Sequence, residues 1–238
     1  METFKSLMSK VAFLVIAALL AALILAPTES KSQSIRVVDT PVGPLISLEG
    51  DIQVGAADRL RNALTVNPGI TKVGLVSHGG SAEEGFAIAE VLSDFKVSAY
   101  IPPKSICLSA CAFGFMGAYS YHIYGLLGLH NMYLFEEDLV KRERDTILAG
   151  GQMYGVRTAI FYVAHGFSLE LPLIVASTTR EDSFIIFTNT DDFMQFFVRD
   201  KEDHVFNYLA PTGADKTWLD SHLWTSIDVS NYIISLTN

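Results

Sequence analysis

The chain has 238 residues, enough for one large domain or two small ones with a substantial core. Half of them are apolar and only 18% are charged, which argues against intrinsic disorder. A net charge of −9 with no basic stripe argues against a nucleic-acid partner, whose phosphates such a surface repels.

Lys5 and Lys10 precede an uninterrupted apolar run, Val11 to Ala26, followed by Pro27. As a helix this run spans about 24 Å, short of the roughly 30 Å hydrocarbon core of a bilayer. Residues 1–26 therefore read as a secretory signal peptide or, since Pro27 sits poorly beside a scissile bond, as an uncleaved anchor through residues 11–26. Either way the remainder is expected outside the cytoplasm, in the periplasm or an equivalent space.

Residues 27–43 read as a linker, with a polar opening, PTESKSQS. PLISLEGDI (44–52) predicts a strand, and AADRLRNALTV (56–66) an amphipathic helix closed by Asn67-Pro68-Gly69. KVGLVSH (72–78) predicts a more buried strand ending in Gly79-Gly80. Ser81 can cap the following helix, with Glu84 at the capping-box position. KVSAYIPP is a third strand, CLSACAFGFMGAYS a helix, and HIYGLLGLH a short strand. A long helical stretch, interrupted at Gly150-Gly151, occupies residues 135–166; SFIIFTNTDDFMQFF reads as a strand turning into a helix capped near Thr190. The alternation predicts an α/β fold around a mostly parallel sheet with right-handed βαβ crossovers. The last thirty residues carry Trp218 and Trp224 but no interpretable motif.

Chemistry concentrates in three places. In SHGGSAEEG a strand ends in two glycines before a helix, which presents bare N–H groups to an anion. In ICLSACAF, Ser109 and the small Ala110 stand where a helix begins, so a hydroxyl nucleophile and an N–H donor can share one mouth; a capping serine is the alternative. In LLGLHNM, His130 ends an apolar strand, where it can serve as a base if an acid holds its other nitrogen. Glu181 and Asp182, in TTREDSF, are the candidate acids. Lys141 reads as a solvated partner of Glu137, and His165, His204 and His222 fit no recognised spacing; His78, just before the glycines, reads as a plain loop histidine, with a place lining the site as the alternative. Cys107 and Cys111 flank the serine four residues apart, close enough on one helix face to form a disulfide; two buried thiols are the alternative. They fall short of a zinc site.

The order serine, histidine, acid matches neither the chymotrypsin, subtilisin nor α/β-hydrolase order. It resembles that of the Clp-protease/crotonase superfamily, in particular the proteolytic subunit of the Clp protease and its periplasmic, Clp-like relatives. The resemblance covers residues 44–198. It leaves 199–238 as a C-terminal extension without an assigned role. Gly79-Gly80 resembles the family's oxyanion turn, Ser109 its nucleophile and His130 its strand-end histidine. REDSF resembles its Arg-Asp-x-Phe stretch, which maps the triad acid onto Asp182. The resemblance implies a serine peptidase with Ser109, His130 and Asp182 as triad, Gly80 and Ala110 as oxyanion donors, a peptide or protein substrate and a homo-oligomer. No cofactor and no metal are required. The alternative is a catalytically inactive Clp-like domain that binds peptides or scaffolds a membrane-associated complex. The acyl-CoA chemistry of crotonases is disfavoured, because no basic cluster would meet the CoA phosphates.

Overall fold

A computed structural model of the chain describes residues 33–41, 43–131, 144–178, 183–198 and 216–237. The apolar run at 11–26, Lys141, His204 and the acidic pair Glu181 and Asp182 lie outside the described residues.

Two mixed sheets form the frame. In the first, β1 (Ser34–Val38) runs antiparallel to β2 (Leu45–Glu49), and β3 (Lys72–Val76), β4 (Ser98–Ile101) and β6 (Ser120–Ile123) continue parallel to β2. β2 and β3 are linked by α1 (Ala56–Val66), and β3 and β4 by α2 (Ala82–Asp94), each long enough for a crossover. Residues 34–38, read from sequence as linker, are thus a strand: six residues separate β1 from β2, too few for a crossover, so the pair closes as an antiparallel ladder.

The second sheet has the order β5 (Ile106–Leu108), β7 (Leu126–Leu129), β8 (Ser183–Phe187), β9 (Leu223–Thr225). β5 and β7 are parallel, while β7–β8 and β8–β9 are antiparallel. The expected mostly parallel sheet is corrected to two mixed ones. The stretch read as one helix from Cys107 divides into β5 and α3 (Ala110–Met116), because Ile106–Leu108 is held by β7 on one side and by Ser77 on the other. Ser77 joins the two sheets: its N–H donates to Ile106 O at 2.9 Å, and its carbonyl accepts from Leu108 N at 3.0 Å.

The other described helices are α4 (Arg144–Ala164), α5 (Glu170–Thr178), α6 (Thr190–Met194), α7 (Lys216–His222) and α8 (Ser226–Thr237). α4 runs through Gly150-Gly151 without a break, and α6 is capped by Asn189, whose side chain accepts from Asp192 N at 2.9 Å. β9 pairs with β8 (Phe184↔Trp224), so part of the C-terminal segment completes the second sheet. Among the described residues no helix is long and apolar enough to cross a membrane.

The main core gathers buried residues of both sheets with those of α1, α2 and α3. Phe115, Tyr121, Phe167, Phe187 and Phe193 pack edge and face, with Phe167 and Phe193 centroids 4.9 Å apart. The buried Tyr121 hydroxyl is satisfied by Met116 O at 2.8 Å. α2 and α3 touch backbone to backbone because glycines line the crossing: a Cβ on Gly85 would stand 2.4 Å from Ala110 O, and one on Gly117 2.2 Å from Ala89 O.

Candidate active site

The site lies at the carboxyl ends of β3, β5 and β7, the edge at which parallel α/β sheets commonly bind ligands. Because β5 and β7 run parallel in the register Leu108↔Gly128, the residues that follow them, Ser109 and His130, come to the same edge. Ser109 Oγ and His130 Nε2 are 2.7 Å apart. This is hydrogen-bond distance for a nucleophile and its base.

Ser109 has φ 56° and ψ −123°, outside both strand and helix. A non-glycine residue held there stores about 1–3 kcal/mol and persists only where its surroundings dictate it. Those surroundings are explicit. The N–H of Ser109 donates to Gly128 O at 3.0 Å, its carbonyl accepts from Ala112 N at 2.9 Å, and Gly79 passes so close that a Cβ there would lie 2.7 Å from Ser109 Cβ. Cys107 and Cys111 are joined by a disulfide across this turn, Cys107 within β5 and Cys111 within α3 rather than on one helix face.

The two expected oxyanion donors are set apart from their neighbours by what those neighbours bond. Gly79 N donates to the buried Ser77 Oγ at 3.0 Å, and Ser109 N is committed to Gly128. Ile52 N donates to Gly79 O at 2.7 Å and Ser81 N to Ile52 O at 2.9 Å, a parallel bridge in which the N–H of Gly80 points away from Ile52. Gly80 is exposed, with φ 139°. Ala110 is the first residue of α3, so its N–H has no partner within the helix. Among the described residues neither N–H meets an acceptor.

Burial lowers the pKa of His130 below the ordinary histidine value, which keeps the imidazole neutral and able to accept a proton at neutral pH. Its ring packs against Phe184, with centroids 4.9 Å apart. Phe184 belongs to β8, whose first residue, Ser183, directly follows Asp182 in the chain. His78 is exposed; His165 bonds Phe161 O through Nδ1 at 2.9 Å and His222 stacks on Trp218 at 4.0 Å, so both have structural work elsewhere. Among the described residues no three His, Cys, Asp or Glu side chains converge to hold a metal ion.

Sequence reasoning missed Ser77, Ile52 and the second task of Glu84. Ser81 Oγ does accept from Glu84 N, at 3.4 Å, but the Glu84 carboxylate does not return to Ser81 as a capping box would. It accepts from Gly55 N at 2.8 Å and Ala57 N at 3.0 Å, capping α1 and fastening the segment that carries Ile52. The Ser-x-x-Glu spacing signals a helix start; a carboxylate partner nearly thirty residues away leaves no mark in it.

No family model matches the chain, and no curated protein does. Among solved structures it is similar in fold to the 1510-N membrane-bound stomatin-specific protease, in a serine-to-alanine mutant: 12% identity, 66% of this chain and 79% of that one covered, TM-score 0.46. It is likewise similar to a lysine-to-alanine mutant of that protease in complex with a substrate peptide, at 11% identity, with 71% and 83% covered and a TM-score of 0.46.

Proposed function

We propose that the chain is a Clp-like serine peptidase that hydrolyses peptide bonds with Ser109 as nucleophile, His130 as general base and Asp182 as the acid that fixes the histidine's tautomer. The observation that carries this reading is the 2.7 Å approach of Ser109 Oγ to His130 Nε2, with the serine held at a positive φ. His130 accepts the hydroxyl proton as Oγ attacks the substrate carbonyl, and the N–H groups of Gly80 and Ala110 receive the oxyanion. His130 then returns the proton to the leaving amine. Water repeats the cycle on the acyl-enzyme. Asp182 is supported by its place two residues before Phe184, whose ring lies on His130. None of these steps draws on a cofactor or metal.

In this reading the domain works outside the cytoplasm, delivered or anchored by residues 11–26. The buried Cys107–Cys111 disulfide supports an oxidising compartment, since such bridges persist there. Its substrate is a peptide or protein, and it acts as a homo-oligomer. The test is hydrolysis of a fluorogenic peptide library by the full chain beside Ser109→Ala. Cleavage by the wild type alone supports the reading; cleavage that survives in Ser109→Ala overturns it. Peptide binding without cleavage would make this an inactive peptide-binding domain.

A further inference from the structure

We infer that the Cys107–Cys111 disulfide is a positioning device for the nucleophile: it holds the β5–α3 turn tight so that Ser109 keeps its positive φ and its approach to His130. The inference rests on the reading of Ser109 as nucleophile.

The bridge spans residues −2 to +2 around Ser109, with Cα atoms 5.2 Å apart. Were the turn to relax into extended chain, the same two Cα atoms would stand about 13 Å apart, at roughly 3.3 Å per residue. A disulfide tolerates no more than about 6.8 Å. A continuous helix through 107–111 would satisfy the bridge, but Cys107 is held in the strand by pairing with Leu127 on one side and Ser77 on the other. Strand pairing excludes the helix and the disulfide excludes the extended chain. What remains is the tight turn with Ser109 at φ 56°.

Placement argues for geometry over general stability. Both cysteines are 0% exposed, so the bridge lies inside the core. The loop it closes is five residues long, at the weak end of what a disulfide contributes by restricting the unfolded chain. A bridge serving chiefly as a staple gains more by closing a longer loop.

The experiment measures phosphonylation of Ser109 by a fluorophosphonate in the full chain, wild type against Cys107→Ala/Cys111→Ala. In this reaction Ser109 Oγ forms the P–O bond, fluoride leaves and the hydroxyl proton passes to His130. The rate is resolved into the probe's binding constant and the rate constant of the covalent step, below the melting temperature of each protein. The expected result is a folded variant whose covalent step falls on the order of 10²-fold, the cost of misplacing a reacting group by about 1 Å, with probe binding little changed. A bridge that acts only on stability would lower the melting temperature and leave the covalent step at the wild-type value; that result overturns the inference. Cys107→Val/Cys111→Ala is carried in parallel. If neither variant folds, the bridge is a folding staple and the inference is equally overturned. A wild type that is not labelled at all removes the nucleophile reading itself, an outcome distinct from a labelled wild type matched by its variants.

Discussion

Replacing Gly85 by alanine tests how tightly the α2–α3 crossing holds the proposed oxyanion site. The added Cβ would lie 2.4 Å from Ala110 O and 3.1 Å from Ala110 Cα, about 1 Å inside ordinary contact in the first case, and both atoms are backbone that no rotamer change can move aside. Overpacking of this kind costs about 1–3 kcal/mol. Alanine's better helix propensity returns about 1 kcal/mol. Gly85→Ala is therefore expected to lose up to about 2 kcal/mol in urea unfolding. The larger effect falls on the rate. To make room, α3 must shift by about 1 Å at the residue whose N–H is the proposed oxyanion donor, and a misplacement of that size costs on the order of 10²-fold in turnover. The control is Gly155→Ala on α4, where a Cβ meets nothing within 4 Å. It should gain up to about 1 kcal/mol and leave turnover unchanged. Equal stability and equal peptide hydrolysis for Gly85→Ala and wild type would refute the reasoning.

Three further outcomes follow from the same geometry. Hydrolysis should rise with pH along one acid limb whose midpoint lies below the ordinary histidine value, because burial favours neutral His130 and only that form accepts the serine proton; a pH–rate profile with its midpoint above 6.5 contradicts this. Asp182→Asn should lower turnover by up to about 10⁴-fold and Glu181→Gln by little; steady-state kinetics showing the reverse order would move the acid by one residue. Glu84→Ala strands the N–H groups of Gly55 and Ala57, so thermal or urea unfolding should register a loss of about 1–3 kcal/mol. Turnover should fall with it, because the segment carrying Ile52, whose backbone pairs with Gly79 and Ser81 on either side of Gly80, loses its tie to α2; Glu84→Gln, which keeps an acceptor oxygen, should fall between Glu84→Ala and wild type.

Much of the frame could be read from local pattern. The Gly79-Gly80 turn, the helices from Ala56 and Ala82 and the strand that ends before His130 all carry periodicity or punctuation within a dozen residues. The elements misread or missed are those decided at long range. β5 is three residues of Ile-Cys-Leu that a helical pattern absorbs as readily; it is a strand because Ser77 and β7 offer it partners. β1 and β9 likewise owe their conformation to β2 and β8. In the site, residue types and spacing made Ser109 and His130 candidates, the family resemblance singled them out, and the fold brings their side chains within 2.7 Å. The positive φ of Ser109, the commitment of Gly79 N to Ser77 and the reach of Glu84 to α1 are three-dimensional facts with no local signature. Asp182 rests on sequence and on its nearness in the chain to Phe184.

The most direct test of the central claim is intact-mass and peptide mapping of the full chain after fluorophosphonate treatment, with Ser109→Ala and His130→Ala alongside. The account predicts a single adduct on Ser109, absent from Ser109→Ala and formed far more slowly in His130→Ala. A folded wild type that takes up no probe, or an adduct that persists in Ser109→Ala, would contradict it.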